Sequence, residues 1–194
     1  MRGMAGMSDE QIRAASVDGA PPQYREIVVA DYDPEWPRWF ERAAEGIRAA
    51  LGESVMELHH VGSTSVPGLA AKPLIDINLV VADTTDEDAY VPRLEAAGYV
   101  LRVREPDWFE HRMLRGSEPP VNLHVFPSEC PEVDRMLLFR DWLRTNDADR
   151  ELYARTKREL GAQEWKYVQN YADAKTAVVE EILKRATSAR DPTA

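Results

Sequence analysis

The chain has 194 residues, 44% of them hydrophobic and 30% charged, with a formal net charge of −10. That length suits one domain with a proper core, and the composition is that of a soluble globular protein. The negative charge argues against broad nucleic-acid binding, the single cysteine (Cys130) excludes an internal disulfide, and no apolar run is long enough to cross a bilayer. With no signal peptide read at Met1–Ser8, a cytoplasmic location without a membrane partner is expected.

Residues 1–23 are rich in Gly, Ala, Met and Ser and close on Pro21-Pro22, which predicts a mobile tail with a short helix around Asp9–Ala15. Tyr24–Ala30 reads as a first strand. Asp33-Pro34-Glu35-Trp36 is a helix start: Asp33 caps, and Pro34 suits the first helical position. Trp36, Trp39, Phe40, Ala43, Ile47, Ala50 and Leu51 then keep helical spacing, and Gly52 ends the run. At that spacing the tryptophans read as core before they read as a ligand platform.

Ser54–Val61 is predicted as a strand delivering a small-residue turn, Gly62-Ser63-Thr64-Ser65. A linker punctuated by Pro67, Gly68 and Pro73 leads to Leu74–Val81, a buried strand. Alternation puts Ile75, Ile77, Leu79 and Val81 on one face and Leu74, Asp76, Asn78 and Val80 on the other. An acid inside a buried strand is costly unless paired, solvated at a cleft or bound to a metal. Two readings of Asp76 follow. It caps the Gly62–Ser65 turn through backbone N–H groups, or it ligates a divalent cation beside a turn that cradles phosphate.

A helix is expected from near Ala89, as Pro92 requires, to Ala97, with Gly98 ending it and a strand over Tyr99–Arg104. Trp108–Arg115 and Val121–Pro127 predict a hairpin across Gly116–Pro120, with Asn122, His124 and Phe126 on one face of the second arm. Arg112 is an anion binder, or the partner of Glu110 or another surface acid. Beyond Pro131 the chain is helical: Pro131 to Arg144, then a helix capped by Asn146 or Asp147 to Leu160, then one from Glu164 or Tyr167 to Ala186, with a frayed tail over 188–194. Arg140 lies on an otherwise apolar stripe. It forms a buried ion pair, or Arg140 and Arg144 reach a phosphate or carboxylate.

The run from His60 to Ile77 (His-Val-Gly-Ser-Thr-Ser-Val-Pro-Gly-Leu-Ala-Ala-Lys-Pro-Leu-Ile-Asp-Ile) resembles the GrpB family, a branch of the nucleotidyltransferase-like superfamily. Asp31-Tyr32-Asp33-Pro34-Glu35-Trp36-Pro37 looks like that family's opening. Phe139–Arg144 looks like its Phe-Arg-Asp-x-Leu-Arg word, and Tyr171–Lys175 like its Tyr-x-x-x-Lys word. Asn122-Leu123-His124-Val125 is similar to its His-Leu-His-Val word, with Asn122 in place of the first His. The resemblance covers Tyr24 to about Lys184. It implies an α/β (α+β) domain over 24–187: a nucleotidyltransferase-like mixed sheet with flanking helices and a C-terminal helical layer.

In that superfamily the Gly-Ser turn holds a triphosphate, two acids on the next strand hold Mg²⁺, and a third acid comes from a later strand. Asp76 occupies the first acid's place and Asn78 the second, which leaves the site one charge short. His124 falls in the third region, as a metal ligand or general base, or as a hydrogen-bonded structural residue. The resemblance therefore implies Asp76, Asn78 and His124 around Mg²⁺ or another divalent cation, with Asp76 and His124 catalytic. Gly62, Ser63, Thr64, Lys72, Arg112, Arg140 and Lys175 are the expected contacts of a small anionic or nucleotide ligand. The expected activity is nucleotide binding with possible nucleotidyl transfer. The alternatives are a non-catalytic regulatory domain like the one fused to dephospho-CoA kinase, whose P-loop word this chain lacks, or a purely structural polar network of Asp76, His124 and the arginines.

Overall fold

A computed structural model describes residues 6–19 and 28–190. Five strands form one mixed sheet: β1 (Glu57–Val61), β2 (Ile75–Val81), β3 (Val100–Glu105), β4 (His111–Ser117) and β5 (Pro120–Pro127), in the spatial order β1-β2-β5-β4-β3. Only β2 and β5 run parallel; the other three pairings are antiparallel. The two parallel strands occupy the middle of the sheet. They carry the most continuous apolar runs because both of their faces are covered.

One face presents Ile75, Ile77, Leu79 and Val81 from β2 and Val121, Leu123 and Val125 from β5. It packs against α2 (Trp36–Leu51) and α3 (Val91–Ala96) through Trp36, Ala43, Ile47, Leu51 and Leu94. Trp36 is thus core, set edge-on to Tyr32. The opposite face carries Asp76, Asn78 and Val80 beside Asn122, His124 and Phe126. Helix α4 (Pro131–Thr145) packs on it, and α5 (Asp147–Gly161), α6 (Val168–Ala174) and α7 (Thr176–Arg190) complete the layer, with α5 and α7 packed on α4 and on the Val66–Leu69 segment. This is the expected mixed α/β arrangement with a C-terminal helical layer.

Several local details differ from expectation. The helix start lies two residues later than Pro34: Asp33 Oδ1 accepts the Glu35 N–H, and Pro37 sits in the first turn. Gly52 ends α2 with φ +56°. The strand expected over 24–30 falls mostly outside the described residues, and Ala30 makes a single bridge to Ala71. The short helix within the expected tail exists, as α1 (Asp9–Ala15), but it is docked. Ile12 is buried, Ser16 bridges Val103, and the Met7 N–H donates to Asp173. The final helix divides at Lys175 into α6 and α7, and α7 continues through part of the expected frayed end to Arg190. The first hairpin arm begins at His111, three residues late, because Phe109 and Glu110 turn the chain with φ +56° and +49°. The hairpin closes tightly, pairing Ser117 with Pro120.

The parallel pair anchors this fold. Leu123→Ala, at a position with no exposed surface, is expected to lower unfolding free energy by about 3 kcal/mol. Urea denaturation checks this, with the slope against denaturant unchanged.

Candidate functional site

The parallel register places Asp76 opposite Asn122 and Asn78 opposite His124. Side chains directly opposed on adjacent strands point to the same face, so all four meet beneath the C-terminal helices. Asn122 donates from Nδ2 to Asp76 Oδ1 at 2.9 Å, and its own Oδ1 accepts from Arg115 at 3.1 Å. That second bond fixes which end of the Asn122 amide faces the acid. His124 Nε2 stands 3.7 Å from the same Asp76 oxygen, with the His124 side chain 22% and the Asp76 side chain 31% exposed. Burial alone raises the Asp76 pKa. His124, the Asn122 amide and the Lys175 ammonium outweigh it and hold the carboxyl below its usual range.

Asp76 Oδ2 points at Gly62. A Cβ there would lie 2.5 Å from that oxygen, and Gly62 has φ +68° with ψ −172°, a region almost confined to glycine. The turn's sharp bend and its close approach to the acid are therefore one requirement. Ser63 follows, close enough to the Tyr153 hydroxyl of α5 to influence it, and burial pushes that phenol up to about 12. Lys175, at the α6–α7 junction, lies over the Tyr171 ring at 4.4 Å and within electrostatic reach of Asp76. Gly62, Ser63, Asp76, His124 and Lys175 are thus assembled at one end of the central strands.

Other groups of the turn are structural. Thr64 Oγ1 bonds the Leu74 carbonyl and the His60 ring, and Ser65 Oγ donates to the Gly62 carbonyl. His60 stacks on Phe40 at 4.8 Å; burial, helped by Arg144 and Arg140 and opposed by Asp76, lowers its pKa to about 4.

The helical layer grips the same loop by its carbonyls. Arg140 donates to His60 O, Arg144 donates twice to Ser65 O, and Lys157 donates to Ala70 O. Burial, reinforced by Lys175 and Arg158, lowers the Lys157 pKa to about 6.

A family model described as GrpB protein matches residues 26–185. The chain belongs to the GrpB family. A UPF0157 protein of Halalkalibacterium halodurans is 54% identical over 181 residues, covering 93% of each chain. The crystal structure of conserved protein GrpB from Enterococcus faecalis superposes with a TM-score of 0.71 at 31% identity, over 84% of this chain and 99% of that one. A dephospho-CoA kinase of Mycolicibacterium paratuberculosis is 29% identical over 213 residues, matching 96% of this chain but only 50% of the kinase.

Within this GrpB-family fold not every expected residue reaches the site. Arg112 lies on the other face of the sheet, buried, donating to Glu87 Oε1 at 2.7 Å and to the Glu110 carbonyl. It is the centre of a structural ion cluster with Glu87 and Arg104, so the anion-binder expectation is corrected there. Arg140, besides His60 O, binds Asp141, and it lines a cavity of about 340 Å³ with Phe40, His60 and Arg144. A larger groove of about 490 Å³ between α4 and α7 is lined by neither Asp76 nor His124. Lys72 is half-buried in the connector before β2. Asn78 is fully buried; its amide nitrogen donates to Met136 Sδ at 3.2 Å, and its oxygen has no partner among the described residues. Sequence reasoning missed Tyr153, Asn122 as a donor to Asp76, Glu105 and His111.

Two outcomes follow. Gly62→Ala should lower stability on the order of 3 kcal/mol, because the backbone conformation is disallowed and the added Cβ would collide with Asp76 Oδ2. Gly68→Ala has a similar φ of +77° but nothing within 4 Å of its Cβ, and should cost about 1 kcal/mol. Equal losses by urea denaturation would contradict the Asp76 contact. Between pH about 6 and 10.5 the unfolded chain holds a proton on Lys157 that the folded chain does not. Stability should therefore rise with pH across that window. Lys157→Met should flatten the rise, measured as urea unfolding free energy at several pH values.

Proposed function

We propose that this GrpB-family chain binds a nucleotide or small anionic metabolite together with a divalent cation, and that Asp76 and His124 are the protein's ligands to that cation. The observation that carries this reading is the 3.7 Å separation of Asp76 Oδ1 and His124 Nε2 in a partly exposed position. It is too long for a hydrogen bond. Two ligand atoms each about 2.1 Å from one ion stand roughly 3 to 4.2 Å apart. Among the described residues no third His, Cys, Asp or Glu joins them. Such a two-ligand site takes its other donors from water and ligand phosphate, as Mg²⁺ sites commonly do, and the imidazole nitrogen also suits Mn²⁺.

Bound there, a cation would neutralise charge on a phosphate being transferred. Asn122 orients the Asp76 carboxylate. The Gly62–Ser63 turn offers backbone N–H groups beside it, and Lys175 adds a compact positive charge. Nucleotidyl transfer is the reaction this placement supports, since the Gly-Ser turn and the acid-bearing strand stand in the order of a nucleotidyltransferase-like core.

One observation favours a second reading, a binding module without turnover. Asn78 occupies the second acid's place and is sealed in the core against Met136. A mechanism that needs two acids on β2 lacks its second charge.

Thermal shift with nucleoside triphosphates separates the readings. Stabilisation should require both nucleotide and Mn²⁺ or Mg²⁺, reaching about 2.7 kcal/mol at a hundredfold excess over the dissociation constant. Asp76→Ala should abolish it while keeping the fold. A shift of equal size in chelator, with no pyrophosphate released, favours the binding module. No shift with any nucleotide overturns both.

A further inference from the structure

The other end of the His124 ring meets a further pair of polar side chains. His124 Nδ1 lies 3.0 Å from His111 Nε2, and His111 Nδ1 lies 2.8 Å from Glu105 Oε2. Four strands therefore contribute to one line of polar atoms: Glu105 at the end of β3, His111 at the start of β4, His124 on β5, and Asp76 on β2 beyond it. The far half is buried, with the His111 and Glu105 side chains 4% and 10% exposed.

The line has a direction. An ionised carboxylate only accepts, so Glu105 takes the Nδ1–H of His111. A ring that ligates a cation must be neutral. With one proton on each ring, His111 Nε2 is then a bare acceptor, and only a proton on His124 Nδ1 can fill the 3.0 Å gap. That leaves the lone pair of His124 Nε2 facing Asp76. The opposite tautomer would set two lone pairs against each other inside the protein and point an N–H at the cation position.

The surroundings hold His111 for this purpose. Its ring lies against Phe126 at 4.7 Å and 29°, meets the edge of Trp108 at 4.9 Å, and runs nearly parallel to His124 at 5.2 Å. The turn that delivers it places Phe109 and Glu110 consecutively in the left-handed region, an arrangement that non-glycine residues adopt only when their surroundings enforce it.

We infer that Glu105 and His111 are positioning residues that fix the proton of His124 on Nδ1 and so hold its Nε2 lone pair toward Asp76. The inference rests on the reading of Asp76 and His124 as cation ligands, and it assigns that site its supporting groups.

The test is a long-range ¹H–¹⁵N correlation spectrum of the ¹⁵N-labelled full chain, metal-free and at mildly alkaline pH, with Mn²⁺ titrations in parallel. Wild type should show the His124 proton on Nδ1. His111→Gln places an amide acceptor near the former Nε2 and should retain that tautomer. His111→Phe keeps a stacking ring but removes the acceptor. It should lose the tautomer and weaken Mn²⁺ binding by about 10- to 100-fold. A His124 proton on Nε2 in wild type would overturn the inference, as would a His111→Phe variant that keeps both the tautomer and the Mn²⁺ affinity. If wild type takes up no Mn²⁺, the cation reading fails. The position of the His124 proton then still confirms or overturns the Glu105–His111–His124 arrangement.

Discussion

The site depends on placing one carboxylate in a central strand. Asp76 stands in β2 between two hydrogen-bonded neighbours, where an unpaired charge is expensive. Each of its sides is met by a specific group: Asn122 and His124 from the parallel strand, Gly62 from the turn before it. That requirement selects glycine at 62 and an amide at 122. It also explains why an arginine, Arg115, is used to lock the Asn122 amide.

The C-terminal helices make the arrangement durable. Arg140, Arg144 and Lys157 look from their charge like a receptor for anions, yet each donates to a main-chain carbonyl of the segment from His60 to Ala70. They hold the turn by its backbone, and this satisfies carbonyls that helix packing removes from water. Lys175, at the break between α6 and α7, is the cation within reach of the acid.

Much of this is legible in the sequence because local chemistry carries it. The Gly62-Ser63-Thr64-Ser65 turn, the alternation that puts Asp76 and Asn78 on one face, the apolar stripe of α2 and the position of His124 follow from periodicity and turn residues. What stays hidden depends on register. Arg112 and Met113 are neighbours in sequence, and only the tight closure at Ser117–Pro120 decides that Met113 pairs with His124 and Arg112 turns away. The same register brings His111 to His124, thirteen positions apart, with no spacing rule to announce it. The α6–α7 break is hidden too, since neither Gly nor Pro marks it. The docking of α1 rests on a few distant contacts, Ile12 and the Ser16–Val103 bridge among them, within a segment whose composition suggests a tail.

The decisive measurement is anomalous diffraction near the manganese edge from crystals grown with Mn²⁺ and a non-hydrolysable nucleoside triphosphate. A peak within ligand distance of Asp76 Oδ1 and His124 Nε2 is expected, with the nucleotide phosphates beside Gly62 and Ser63. A map with no peak there, or with the nucleotide seated instead in the cavity beside Arg140 and Arg144, would contradict this reading.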